Sequence, residues 1–218
     1  MRATLTQVRV LLVHGAATTS TVWDGVRARL AARGVVDVVA PDRACSGSLG
    51  RELADLAPLA EGALVVGVSG GATLGLSLVA AGVPVAGAVL HEPAAGFLAP
   101  GLLAPMARAF DEGGVPAFAA ALYGPSWHPG LAPRDPEAVG RDLAMFRGWD
   151  PQPLPPGHAP VLLTVGGESP EVRHASVGAL ATWLGVPART VPGCRHALHL
   201  DHPDDLAALV VEVLHAPR

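Results

Sequence analysis

The sequence predicts an α/β fold: a mostly parallel sheet with helices on both faces and a small helical cap insertion. Three observations carry this. Short apolar runs rich in Val recur along the chain, too continuous for strands with one wet face. Between them lie amphipathic stretches with helical spacing, the alternation that gives a parallel sheet covered on both sides. Residues 94–157 hold helix-like stretches but no strand-like run, which divides the chain into a core of 1–93 and 158–218 and a cap over one sheet end. A chain of 218 residues is long enough for one domain with such an insertion, and no internal repeat is visible.

The elements follow in order. Residues 8–15 (VRVLLVHG), 35–42, 63–69, 85–92, 159–167 and 188–193 are the expected buried strands. A helix over 21–32 places Val22, Val26 and Leu30 on one face, with Ser20 or Thr21 as its N-cap. Helices over 49–59, 72–81, 170–184 and 203–215 complete the core. Pro170 and Pro203 suit first-turn positions, where the missing N–H costs nothing. In the insertion, 102–111, 116–122 and 136–146 are helical, separated by proline-rich loops.

Composition narrows the function classes. Half the residues are hydrophobic and 16% are charged, far from a disordered profile. The net charge of −4 offers no patch for nucleic acid or an anionic membrane. All 15 basic residues are Arg, and Lys, Ile and Asn are absent, a bias that fits a GC-rich bacterial genome. The apolar run near the start, Val10 to Val13, is too short for a signal sequence, and no 18-residue apolar stretch marks a membrane span. Cys45 and Cys194 form no CxxC pair, so no zinc site is expected. No Walker, GxGxxG or HExxH motif is present, so neither a cofactor nor a metal is implied. The expected setting is cytoplasmic, as a monomer or homodimer.

The informative motif is Gly67-Val68-Ser69-Gly70-Gly71, placed between a strand and a helix. This is the G-x-S-x-G pattern of a nucleophile elbow, a sharp turn that lifts a serine oxygen above the sheet edge. The flanking glycines let strand and helix approach without Cβ clashes. The amide of Gly70, at the helix start, points where an oxyanion would form.

Together with His14-Gly15, PDRACSG at 41–47 and the loop PGCRHALHLDHP near the C-terminus, this resembles the α/β hydrolase family, in a compact form starting near the family's third strand. PDRACSG departs from the family's loop at Ala44 and Cys45, a structural position. The resemblance implies Ser69 as nucleophile, His196 as general base and Ala16 as the second oxyanion donor beside Gly70. His199 and His202 are then structural or surface residues. Where the family places an Asp, this chain has Ser169, whose neutral hydroxyl cannot stabilise an imidazolium. Glu92, ending the strand AVLHE, is the first candidate acid; Glu168 is the second, and a dyad without an acid stays open. Trp23, Tyr123 and Trp127 are candidate substrate contacts, alongside a plain packing role. Asp201, Asp204 and Asp205 suit helix N-termini.

The implied activity is hydrolysis of a carboxylic ester or thioester, with a small-molecule, largely apolar acyl substrate. The rival is a non-hydrolytic member of the same fold: a binding protein or a cofactor-free lyase, isomerase or cyclase.

Overall fold

A computed structural model of the chain describes residues 8–216. Its strands are β1 (Val10–Val13), β2 (Val38–Val39), β3 (Leu64–Val68), β4 (Gly87–His91), β5 (Val161–Gly166) and β6 (Ala188–Val191). They form one parallel sheet ordered β2-β1-β3-β4-β5-β6. The helices are α1 (Asp24–Ala32), α2 (Leu49–Ala60), α3 (Gly70–Ala80), α4 (Ala104–Tyr123), α5 (Ala138–Arg147), α6 (Glu171–Leu184), α7 (Leu198–Asp201) and α8 (Pro203–His215).

Burial on both faces explains why the central strands read as unbroken apolar runs, whereas β6, expected to be buried, is an edge strand exposed at Ala188, Arg189 and Thr190. In β1, Val10 and Leu12 join a core layer with Trp23, Leu30 and Leu206, beneath α1 and α8. Leu11 and Val13 point the other way, toward Val65, Leu74 and Leu90. All four β1 side chains are fully buried, each contributing about 1.5–3 kcal/mol of transfer free energy.

Some expected boundaries shift. The strand expected over 35–42 contracts to Val38–Val39, because β2 is an edge with one neighbour and Val36 is exposed. The helix expected over 21–32 opens with a 3-10 turn, Ser20–Trp23, and no hydroxyl caps it. The Asp42 carboxylate instead accepts from the Ser20 amide at 2.7 Å. Pro170 is extended (ψ 150) as the residue before α6, rather than in its first turn. Pro203 does take the first turn of α8.

Between β4 and β5 the described residues hold helices and short 3-10 turns but no strand. Within α4, Gly113 and Gly114 leave helical geometry, Gly114 at φ 62, and so separate the two helices the sequence suggested. Phe118, Leu122, Leu143 and Phe146 of this segment share a core layer with Ala72 and Leu74 of α3. Cys45 and Cys194 are buried free thiols. Burial pushes them up to about 12 and about 11, so neither is a nucleophile near neutral pH.

Candidate active site

The elbow is built by close backbone approach. A Cβ on Gly71 would lie 1.8 Å from the Val13 carbonyl oxygen, and one on Gly67 would lie 2.4 Å from that of Gly71. Only glycine fits either position, which brings β3, α3 and the end of β1 together. Between them Ser69 is forced to φ 59, ψ −123, a conformation costing about 1–3 kcal/mol that its surroundings must hold. Its amide donates to the His91 carbonyl at 2.9 Å. Its carbonyl accepts from the Thr73 hydroxyl at 3.1 Å, and that hydroxyl accepts from the Ala94 amide at 2.9 Å.

Ser69 opens into a narrow cavity of about 30 Å³. Ala16 and Gly70 line it too, and Gly70 is the first residue of α3, whose N-terminal amides have no intrahelical acceptor. The far wall is apolar: Leu103, Met106, Phe118, Leu143 and Phe146, all from the segment between β4 and β5.

Glu92 follows β4 directly, at φ 48, another strained non-glycine residue. Its carboxylate is buried and takes three hydrogen bonds. Oε2 accepts from His196 Nδ1 at 2.7 Å. Oε1 accepts from the Gly166 amide at 3.0 Å and from the Ser169 hydroxyl at 2.5 Å. Burial alone would raise its pKa; the bonds from His196 and Ser169 and the nearby His91 overcome that and hold it well below the usual carboxylate range. Ser169 therefore does not replace the carboxylate; it fastens one supplied by the neighbouring strand. Glu168 is exposed, 3.9 Å from Arg195, and forms no contact with His196.

With Nδ1–H committed to Glu92, the other His196 nitrogen, Nε2, is buried and unpartnered. Burial and Arg173 lower the His196 pKa, partly offset by Glu92, so the imidazole is neutral at neutral pH. The ring lies 5.9 Å from that of Tyr123.

Tyr123 and Trp127 reach the loop after β1. The Tyr123 hydroxyl donates to the Ala16 carbonyl at 2.8 Å, and the Trp127 indole N–H donates to the Ala17 carbonyl at 2.8 Å. A Cβ on Gly15 would meet the Tyr123 hydroxyl at 2.9 Å and the Ser69 Cβ at 3.2 Å, so these groups crowd one point. Trp23 requires a correction. It is fully buried in the opposite core layer, its ring 4.9 Å from that of His199, and lines neither cavity beside Ser69 or His196.

Sequence reasoning missed one cluster. The Arg43 guanidinium is fully buried, paired with Glu52 at 3.1 Å and Asp142 at 2.5 Å. It also donates to the carbonyls of His14 and Gly15, at 3.0 and 3.3 Å. The loop carrying Ala16 is thus pinned by one arginine whose partners come from α2 and α5. The Arg43 amide donates to His14 Nε2 at 3.0 Å, leaving His14 Nδ1–H for the Gly15 carbonyl. A pattern PDR followed by an acidic residue nine positions on was the available signal; Asp142 had none.

Three buried histidines set an acid limit on folding. Burial is the largest cause in each, pushing His14 to about 3, His91 to about 4 and His199 to about 3, from 6.5. The folded chain keeps them neutral, whereas the unfolded chain protonates them below pH 6.5. Stability therefore falls on acidification until the folded values are reached, each histidine contributing about 1.4 kcal/mol per pH unit. Thermal melts should show Tm falling most steeply between about pH 6 and pH 4.5. A flat Tm across that range contradicts the assignment.

Among the described residues no group of His, Cys, Asp or Glu has the arrangement of a metal site, and no helix is long and apolar enough to cross a membrane. A model of the alpha/beta hydrolase family matches residues 10–209. No curated protein sequence matches the chain. Among solved structures it is similar to the enol-lactonase from Burkholderia xenovorans LB400, with 20% identity, a TM-score of 0.76, and coverage of 97% of this chain and 92% of that one. It is also similar to a pyrethroid hydrolase, with 20% identity, a TM-score of 0.70, and coverage of 96% and 98%. An alpha/beta hydrolase from Sphaerobacter thermophilus shows 27% identity, a TM-score of 0.62, and coverage of 94% and 91%. At 20% identity the first two likenesses are of fold alone.

Proposed function

Because the chain belongs to the alpha/beta hydrolase family, we propose that it is a serine hydrolase cleaving a carboxylic ester or thioester through an acyl-enzyme. One observation carries the reading: a buried His196–Glu92 hydrogen bond of 2.7 Å that leaves the opposite imidazole nitrogen free, in a fold whose elbow presents a serine.

In this reading Ser69 Oγ attacks the acyl carbonyl as His196 Nε2 takes its proton. The charge developing on the carbonyl oxygen is held by the amides of Gly70 and Ala16. Glu92 keeps His196 in the Nδ1–H tautomer and offsets the positive imidazolium. His196 then returns the proton to the leaving alcohol or thiol, and water releases the acyl group by the same steps. The largely apolar lining of the small cavity beside Ser69 supports a hydrophobic group next to the scissile carbonyl.

The test is hydrolysis of p-nitrophenyl esters from acetate to octanoate. Ser69→Ala should lower kcat by at least about 10³-fold, the scale of losing a covalent nucleophile. The acid limb of kcat/KM should lie below pH 6.5, since the His196 pKa is lowered. A wild type inactive on every ester removes the reading. A second reading, a non-hydrolytic lyase, isomerase or binding protein, draws on the Tyr123 hydroxyl crowded against Ser69.

A further inference from the structure

We propose that Arg173 receives a carboxylate carried on the acyl chain, making the substrate an ester or thioester of a dicarboxylic acid. The inference rests on Ser69 being the nucleophile and adds the substrate's charge.

Arg173 lies in the first turn of α6, where the helix dipole disfavours a cation. Its side chain is nine-tenths buried. Among the described residues its one ion pair is with Glu92, with Nε 3.7 Å from Oε2, too long for a hydrogen bond. Glu92 has already committed both oxygens to His196, Gly166 and Ser169. The two terminal nitrogens of the guanidinium thus have no acceptor among the described residues. Neither nitrogen is sealed from solvent: the fork lines an open cleft, where it can take an acceptor that arrives with the ligand.

The position fits that role. Arg173 lines the narrow cavity with Ser69, and also an adjoining cleft of about 320 Å³ lined by Tyr123, Arg195 and His196. It is shared by the linings of both, so it borders the space beside Ser69 as well as the wider cleft. A carboxylate matches the planar fork through two parallel N–H···O bonds. A doubly charged phosphate fits less well, because the Glu92 carboxylate is the next group.

Monoethyl succinate, glutarate and adipate are compared with the same esters bearing a terminal carboxamide. In the wild type, kcat/KM should favour at least one carboxylate by about tenfold or more. In Arg173→Gln that ratio should collapse toward one. If Arg173 acts only through Glu92, both members of each pair fall equally and the ratio is unmoved, which overturns the proposal. A wild type with no preference, or one favouring the carboxamide, overturns it too. Should the wild type cleave none of these esters, the p-nitrophenyl esters show whether the hydrolase reading itself has failed. Calorimetric binding of monoethyl adipate to Ser69→Ala and to Ser69→Ala/Arg173→Gln then decides. Binding lost only in the double variant supports the carboxylate site; equal binding, or none to either, overturns it.

Discussion

Glu92→Gln is expected to lower kcat/KM on a cleavable ester by about 10³–10⁴-fold with the fold retained, the scale set by neutralising the acid of a serine triad. The cause is geometric as much as electrostatic. Glu92 accepts on both oxygens, from His196 Nδ1 on one side and from the Gly166 amide and Ser169 hydroxyl on the other. A glutamine has one accepting oxygen. With its NH₂ toward His196, the imidazole must accept at Nδ1 and carry its proton on Nε2, where it cannot act as a base. With its NH₂ toward Gly166, two N–H groups face each other across 3.0 Å. Neither orientation preserves the native network. Glu168→Gln, at an exposed residue 3.9 Å from Arg195, should leave kcat/KM unchanged. Equal losses in both variants, with circular dichroism unaltered, contradict the assignment of the acid.

The largest stability effect is expected from Arg43→Met. Removing the cation leaves the Glu52 and Asp142 carboxylates facing each other, each with no more than 1% of its side chain exposed. It also strips the carbonyls of His14 and Gly15 of their arginine donors. Breaking a buried pair from one side costs about 3–5 kcal/mol, against a total stability of about 5–15 kcal/mol for an ordinary domain. Guanidinium titration should move the midpoint down by about 1 M for a domain of this size, with m unchanged. A shift within error of wild type means the cluster is not a structural pin. The loop it holds carries Ala16, so any folded remainder should lose activity beyond what the population of folded protein explains.

These two positions show where the sequence was legible and where it was not. Glu92 was readable because its strand is a continuous apolar run, so the residue ending it had to stand at the carboxyl edge, where Ser69 also stands. The same burial on two faces made the four central strands, β1, β3, β4 and β5, visible. At the edge that logic weakens: β2 has one neighbour and keeps two residues of the expected eight over 35–42. Arg43 and Asp142 are 99 positions apart, on elements whose docking no local pattern encodes. Ser169 looked like a lost acid because one residue type says nothing about which neighbour it will hold. Trp23 was singled out by its place early in the first helix, and Tyr123 and Trp127 by theirs in the insertion, and such placement does not say where a ring points. The structure puts Trp23 beneath the sheet and sends the other two to backbone carbonyls of the loop after β1.

The most direct test of the central claim is covalent. Incubation with a fluorophosphonate probe, followed by peptide mass spectrometry, asks whether an activated serine exists and which one it is. A single adduct on Ser69 is expected, formed far more slowly in Glu92→Gln and absent in Ser69→Ala. No adduct on the wild type, or labelling that persists undiminished in Ser69→Ala, contradicts the claim.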